Sequence, residues 1–375
     1  MVNVVNKGLK IRIFPDEDMV RVLEQNMGNA RFVWNNILAR YTELYNLFKF
    51  HGYPLNPNIR NFNAILKMLK EENSFLYEGE STSQQQVFRD LINAFNKFFK
   101  EGAGFPKFKS KKNPKQSFRI QKNGNNIRIT NRRIRLAKLG YIHYHTSSKY
   151  KKLLKTSKIN NITVKRENGK YYAIVNITTT ITPLEKTGNN IGIDLGLKNL
   201  ATLSNGLEIS NLDLSKEDAM IQKYQKKLTR QKYMSKNYQK TLKKYYKWID
   251  RKNNKIKNAY HHISKYLVKN YDIIAMENLN VKGMFQNKRW APKLQQIGLY
   301  NLITMIKYKS KWYGKKFIQI DRFYPSTKLC NICGYKNNNI TLDTHQWTCP
   351  KCKKTHHRDI NAAKNILQQA IQTTI

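Results

Sequence analysis

Residues 5–14 (VNKGLKIRIF) alternate polar and apolar positions, the period of a strand; Pro15 ends the run, and Asp16 is placed to cap a helix starting near Glu17. From there to residue 100 the apolar positions recur at three- and four-residue steps. Phe32, Val33, Leu38, Tyr41, Leu44, Tyr45 and Phe48 form one stripe, and Val87, Leu91, Phe95 and Phe98 form a second after the polar start STSQQQ. A mainly helical segment is predicted, with the aromatics as helix packing. Past Gly102 alternation returns in NIRIT, ITVKR and YYAIVNI, and Asn123-Gly124 and Asn168-Gly169 are hairpin turn signals. A small β-barrel or sheet is therefore predicted over 102–186. IGIDLGLKNLATLSNGLEIS then reads as a hairpin turning at Asn205-Gly206, followed by a helical stretch from about Leu214 to Lys269 that breaks in two near 230–237. YDIIAMENL (271–279) has the apolar run of a buried strand. A helix with Leu299, Leu302, Ile303, Ile306 and Trp312 leads, after Gly314, into the strand KFIQIDRF. This order predicts a layered α/β domain.

Charge narrows the function. The 375 residues include 69 Lys and Arg against 24 Asp and Glu, a formal charge of +45. Self-repulsion on this scale is tolerable when a polyanion supplies counter-charge, which favours nucleic acid and disfavours a small-molecule role. The segment from Gly102 to Arg166 is the most biased part: 19 Lys and Arg, no acid, and the interleaved aromatics Phe105, Phe108, Phe118, Tyr141, Tyr144 and Tyr150. That combination is a nucleic-acid footprint. No apolar run is long enough to span a membrane, and the N-terminus alternates where a signal peptide would be continuously apolar. A soluble cytoplasmic, nucleoid-associated protein of a bacterium is expected, with no membrane partner.

The four cysteines fall within 23 residues as Cys330-x-x-Cys333 and Cys349-x-x-Cys352, fifteen residues apart. This spacing predicts a zinc ribbon with a structural Zn²⁺ held by four thiolates. Four sulfurs saturate zinc, so His345, His356 and His357 are expected at the surface or on nucleic acid. Acids are scarce, which makes those in apolar settings informative. Asp194 sits inside IGIDLG, Glu277 closes IIAMENL, and Asp359 opens the final helix in HHRDINAAKNIL. Taken singly, each could be an ion-paired acid or a cap. Together, two from strands and one from a helix make a set able to hold two Mg²⁺ ions for phosphodiester hydrolysis. No GxxxxGK[ST] loop or GxSxG elbow is present, so ATP-driven or serine-hydrolase chemistry has no support.

GIDLGLKNLATLSNG, DIIAMENLNVKGM, and YPSTKLCNICGYK with CPKCKKTHHRDINAAKNIL closely resemble the three RuvC-type nuclease motifs and inserted zinc ribbon of the TnpB family. These are transposon-encoded RNA-guided DNA endonucleases related to type V CRISPR effectors. KIRIFPDEDMVRVLEQNMGNARFVWNNIL, QQQVFRDLINAFNKFFK and GFPKFKSKK extend the resemblance over nearly the whole chain. It implies an α/β and β multidomain fold: an RNase H-like (RuvC) nuclease domain over 187–325 and 356–375, with a zinc ribbon over 326–355. A wedge-like β-barrel over 1–15 and 102–186 would carry an inserted helical recognition lobe, 16–101.

The function implied is cleavage of DNA beside a short motif, directed by a transposon-derived guide RNA, in a monomeric ribonucleoprotein bound to double-stranded target. Asp194, Glu277 and Asp359 would be the catalytic Mg²⁺ ligands. Arg358 would steady the scissile phosphate or pair with a neighbouring acid. Many relatives carry an acid where His357 stands. Some have lost catalytic acids and bind DNA without cutting, so a guide-dependent DNA-binding regulator is the alternative. A guide-independent strand-joining transposase and a structural RNA-binding protein are weaker rivals.

Overall fold

The computed structural model describes residues 2–53, 56–284, 286, 291, 294, 297–341 and 344–373. The chain divides into two compact units, one formed by Val4–Thr179, the other by Met1–Asn3 with Thr180–Ile375.

In the first unit, β1 (Asn3–Phe14) buries Val5, Leu9, Ile11 and Ile13 and leaves the residues between half-buried or exposed. Asp16 caps α1 (Glu17–Phe50) by accepting the Met19 N–H at 2.8 Å, as the sequence predicted. Helices α2 (Ile59–Glu72) and α3 (Ser81–Glu101) pack on it, and the Tyr41 ring lies 4.5 Å from Phe95 and 5.4 Å from Phe62. The predicted α1 stripe stops earlier than its periodicity suggests. Val33, Leu38 and Tyr41 are buried, whereas Leu44 and Phe48 lie on the solvent side of a helix that outruns its partners.

Six further strands complete a seven-stranded sheet: β2 (Lys115–Gln121), β3 (Ile127–Ile129), β4 (Arg133–Leu136), β5 (Gly140–His145), β6 (Lys158–Glu167) and β7 (Lys170–Ile181). Their order is β2-β6-β7-β1-β5-β4-β3. Asn168 and Gly169, at φ 53° and 71°, form the expected tight turn between β6 and β7. Asn123-Gly124 also turns, but no hairpin results: β2 pairs with β6 and β3 with β4. A turn dipeptide sets local reversal, and the partner is chosen by which apolar face can be buried. Within the predicted sheet region, Ser147 caps a short helix, α4 (Ser148–Thr156), where polar-apolar alternation lapses. Sheet and helices share one core that includes Ile37, Leu91, Phe95, Ile120, Ile162 and Val175.

The second unit is built on a five-stranded sheet of order β10-β9-β8-β11-β12, from β8 (Asn190–Asp194), β9 (Asn199–Leu203), β10 (Glu208–Ser210), β11 (Ile273–Glu277) and β12 (Lys316–Ile320). β8, β11 and β12 run parallel; β9 and β10 add antiparallel. The predicted hairpin is thus a three-strand meander. α5 (Ser215–Thr229) and α6 (Lys236–Asn270) form the expected broken helical stretch, followed by α7 (Val281–Met284), α8 (Leu299–Tyr313) and α9 (Arg358–Gln372).

Strand parity sorts this unit into layers. Ile191, Ile193, Ile274 and Met276 share a core with Tyr260, Leu267, Leu302 and Ile306 of α6 and α8. The alternate residues, Gly192 and Ala275, are small and lie under α9. A Cβ on Gly192 would stand 2.0 Å from the Ala363 carbonyl oxygen and 2.9 Å from Leu367 Cβ, so only glycine lets the helix approach the strand. At the start of the parallel strands, Lys315 donates to Asp272 at 2.6 Å, and Asp272 accepts the Thr187 and Gly188 N–H groups. Burial opposes the charge on Asp272, but these donors outweigh it and hold the carboxyl at about 2.

Gly192→Ala is expected to lift α9 off the sheet and to cost about 1–3 kcal/mol, as overpacking does. A thermal or urea unfolding curve checks this; wild-type stability in the variant would contradict the packing described.

Candidate active site and metal centre

The parity that puts Gly192 and Ala275 beneath α9 puts Asp194 and Glu277 on the same side, two residues further along each strand. Ile193 pairs with Met276, so the two acids end adjacent parallel strands at one level. Asp359 lies in the first turn of α9, which covers that face, and a carboxylate there also suits the positive end of the helix. The fold therefore brings the three predicted acids together from positions 194, 277 and 359. Asp194 opens into a cavity of about 520 Å³ whose wall includes Lys198, Asn199, Thr327, His345, Arg358 and Asp359.

The electrostatics are those of anions short of cations. Burial, then Glu277, then Asp359 push the Asp194 carboxyl well above the usual carboxylate range, with Arg358 alone opposing them. Arg358 Nε donates to Asp359 at 2.8 Å and its guanidinium also reaches the Thr341 carbonyl at 3.3 Å, so the ion-pair role anticipated for it is the one adopted. Ser326 donates to Glu277. Two residues that carried no sequence flag lock the geometry. Asn361 donates to the Leu329 carbonyl at 2.6 Å, and Asn365 donates to the Ser326 and Leu329 carbonyls at 2.7 Å each. These buried amides tie the segment entering the cysteine-rich module to the helix bearing Asp359. Their signal was legible: two asparagines four apart on the otherwise apolar inner face of a helix.

Cys330, Cys333, Cys349 and Cys352 converge, with all four Sγ atoms within 4.8 Å of one another. Cys330–Cys352 and Cys333–Cys349 are each separated by 3.6 Å. A tetrahedron with Zn–S bonds of about 2.3 Å has an edge of about 3.8 Å, so the donor set fits zinc in size and chemistry. Burial pushes the Cys330 thiol up to about 12; burial also acts on Cys349, but the Cys352 and Lys351 N–H groups outweigh it and bring it to about 7. Among the described residues no other group of three or more His, Cys, Asp or Glu closes to 4.8 Å, so the three carboxylates stand wider apart than the thiols.

Of the three histidines, His356 departs from expectation, while His345 is exposed as expected. His356 is buried, its Nε2 is 3.2 Å from Cys330 Sγ, and its ring packs tilted against Trp347 at 5.0 Å. Its place on β14 (Thr355–His357), opposite Trp347 on β13 (Gln346–Thr348), turns it inward beside the thiolates. It is a partner of the cysteine cluster, not a surface group. His357 Nε2 lies 3.8 Å from Glu208, and His345 lines the carboxylate cavity.

Three families match parts of the chain: a helix-turn-helix domain over residues 1–49, one described as "Probable transposase" over 148–288, and the Cas12f1-like TNB domain over 300–366. A Streptomyces pristinaespiralis protein named "Putative RNA-guided DNA endonuclease" is 30% identical over 372 residues, 98% of this chain and 90% of that protein. The chain belongs to the TnpB family. A second relative of the same printed name, suffixed InsQ, from Escherichia coli (strain K12), is 27% identical over 96% of this chain and 91% of its own length. A solved Cas12f1–sgRNA–target DNA complex shares the fold at a TM-score of 0.60 and 15% identity, covering 97% of this chain and 98% of that one. The TnpB assignment thus extends over both compact units.

Because folding raises the Asp194 pKa above its unfolded value of about 3.9, the native state keeps the proton longer. The stability contributed by this group is fully present below its unfolded pKa and is lost as pH rises through the folded pKa. Asp194→Asn, in Mg²⁺-free buffer at neutral pH, is expected to melt about 2–4 °C above wild type, the shift that about 1 kcal/mol produces in a unit this large. The gap should shrink as the pH is lowered. A scan showing no rise, or a rise independent of pH, contradicts the crowding of these acids.

Proposed function

We propose that this TnpB-family protein is an RNA-guided DNA endonuclease in which Asp194, Glu277 and Asp359 form the hydrolytic site. The observation that carries the reading is the convergence of three carboxylates from two parallel strand ends and a helix start, close enough for Glu277 and Asp359 to raise the Asp194 carboxyl, with Asp194 and Asp359 lining one cavity. The names of its relatives give the reaction class, and the acids needed for it are present. The guided-regulator alternative predicts no cutting and leaves the destabilising triad without a use.

In this reading residues 187–325 and 356–375 are an RNase H-like domain and 326–355 a zinc ribbon. The sheet unit supplies a wedge-like barrel and its helices a recognition lobe for guide RNA and duplex DNA. Mg²⁺ held by the three acids would supply an activated water and stabilise the leaving oxygen. The chain's own groups do the rest. Asp194, between the other two acids, would hold the ions with them; Glu277 is fixed by Ser326, and Asp359 by Arg358. Arg358 is placed to exchange that ion pair for a scissile phosphate, and Lys198 adds positive potential at the cavity wall. Specificity comes from base pairing with the guide and from a short flanking motif, while the protein holds the heteroduplex through shape and backbone charge.

The reading is tested by sequencing the RNA that copurifies with the protein and presenting matching DNA with randomised flanks in Mg²⁺. Cleavage requiring both the match and one flanking motif is expected, and Asp194→Ala is expected to abolish cutting with guided binding intact. Binding without cleavage by the wild type would favour the regulator; retained cleavage by the variant would overturn the site.

For the ribbon, one zinc per chain is expected by metal analysis and none in Cys349→Ser. His356→Ala should keep the stoichiometry but release zinc to a chelator about 10–100 times more readily, the usual effect of losing a ligand's hydrogen-bond partner. Equal release from variant and wild type would remove His356 from that role.

A further inference from the structure

The connection between α5 and α6 carries two large apolar side chains in solvent: Tyr233 is 68% and Met234 62% exposed. Met234 has φ 64°, a left-handed conformation that disfavours a residue with a Cβ. The tip is nonetheless well tied. Ser235 N–H donates to the Lys232 carbonyl at 3.2 Å, Ser235 Oγ caps α6 by accepting the Tyr238 N–H at 3.1 Å, and Gln239 Nε2 lies 3.1 Å from Met234 Sδ. Tyr233 stands edge-on to Tyr238 at 5.3 Å, which holds the ring upright with most of its surface in water.

Charge of one sign surrounds it. Residues 219–249 contain ten Lys and Arg and no acid. Lys223, Lys226, Lys227 and Arg230, at i, i+3, i+4 and i+7, share one face of α5 and line an open groove of about 610 Å³ that leads toward the tip. At 1.5 Å per residue the four span about 10 Å, the length of about three nucleotides at 3.4 Å per strand. Two apolar side chains are far too little area for a protein interface. Cations for phosphates beside an aromatic face for a base are what a single nucleic-acid strand requires.

We propose that the α5–α6 tip is a base-stacking site, in which an unpaired nucleobase lies on Tyr233 and the α5 cations follow the strand leading to it. The inference rests on the nucleic-acid reading above but not on the carboxylates. It is tested with the full chain in an Asp194→Ala background, so that strands stay intact and the outcome is separate from any result on cleavage. Short oligothymidylate or oligouridylate, each with one 5-iodouracil, is bound, photo-crosslinked and mapped by mass spectrometry. Adducts at Tyr233 are expected with one or both strands, and the better strand identifies DNA or RNA as the natural occupant. Tyr233→Phe should keep affinity and crosslinking. Tyr233→Leu, which keeps bulk but lacks the π-face, should bind roughly tenfold more weakly at an unchanged melting temperature. Replacing the four α5 cations by Gln should flatten the salt dependence. Adducts confined to other residues, or a Leu variant binding as tightly as wild type, would overturn the proposal.

Discussion

Repulsion among Asp194, Glu277 and Asp359 is the constraint around which the second unit is arranged. Three carboxylates with one nearby guanidinium raise the energy of the folded chain, and net stability in proteins is only about 5–15 kcal/mol. The unit therefore needs strong fixings elsewhere. The glycine-to-carbonyl approach of β8 and α9, the Asp272–Lys315 clasp and the Asn361 and Asn365 amides all lie along the path that leads to the acids. Each resists a relaxation that would move the acids apart.

Away from that site the problem is the converse, an excess of cations, and the first unit alone has 33 Lys and Arg against 12 Asp and Glu. Two of its acids are shared between cations: Glu167 meets Lys10 at 2.7 Å, Lys165 at 3.1 Å and Lys115 at 3.7 Å, and Lys10 and Lys165 overcome burial to hold the carboxyl at about 2. Glu24 accepts from both Arg166 and Tyr171 at 2.8 Å. Sharing settles the cations around those two acids, and the rest of this unit's surplus of +21 exceeds the acids available to pair with it. The surplus is a standing attraction for a polyanion, and it makes any such association steeply dependent on salt.

Much of this was legible in the sequence. Period-two and period-3.6 patterns located nearly every long element, because each buries one face. The Cys spacing foretold its cluster because two knuckles need that geometry. What escaped was decided by tertiary choice. Asn123-Gly124 turns without pairing its flanks, since β2 finds a better apolar partner in β6. Leu44 and Phe48 keep helical spacing where no neighbour remains to cover them. His356 looked like a spare ligand beside a saturated site, and only the β13–β14 register shows it facing Cys330. The convergence of 194, 277 and 359 needed the parallel register and the face chosen by α9, neither of which alternation alone encodes.

The central claim is that the three acids are held close in order to bind divalent cations. Its most direct test is Mn²⁺ binding to the zinc-loaded full chain without nucleic acid, followed by the loss of the free-ion EPR signal, for wild type and for Asp194→Asn. The account predicts binding by wild type that weakens at least roughly tenfold in the variant, with protons released as Mn²⁺ enters because Asp194 must ionise. Identical isotherms with no proton release would contradict it.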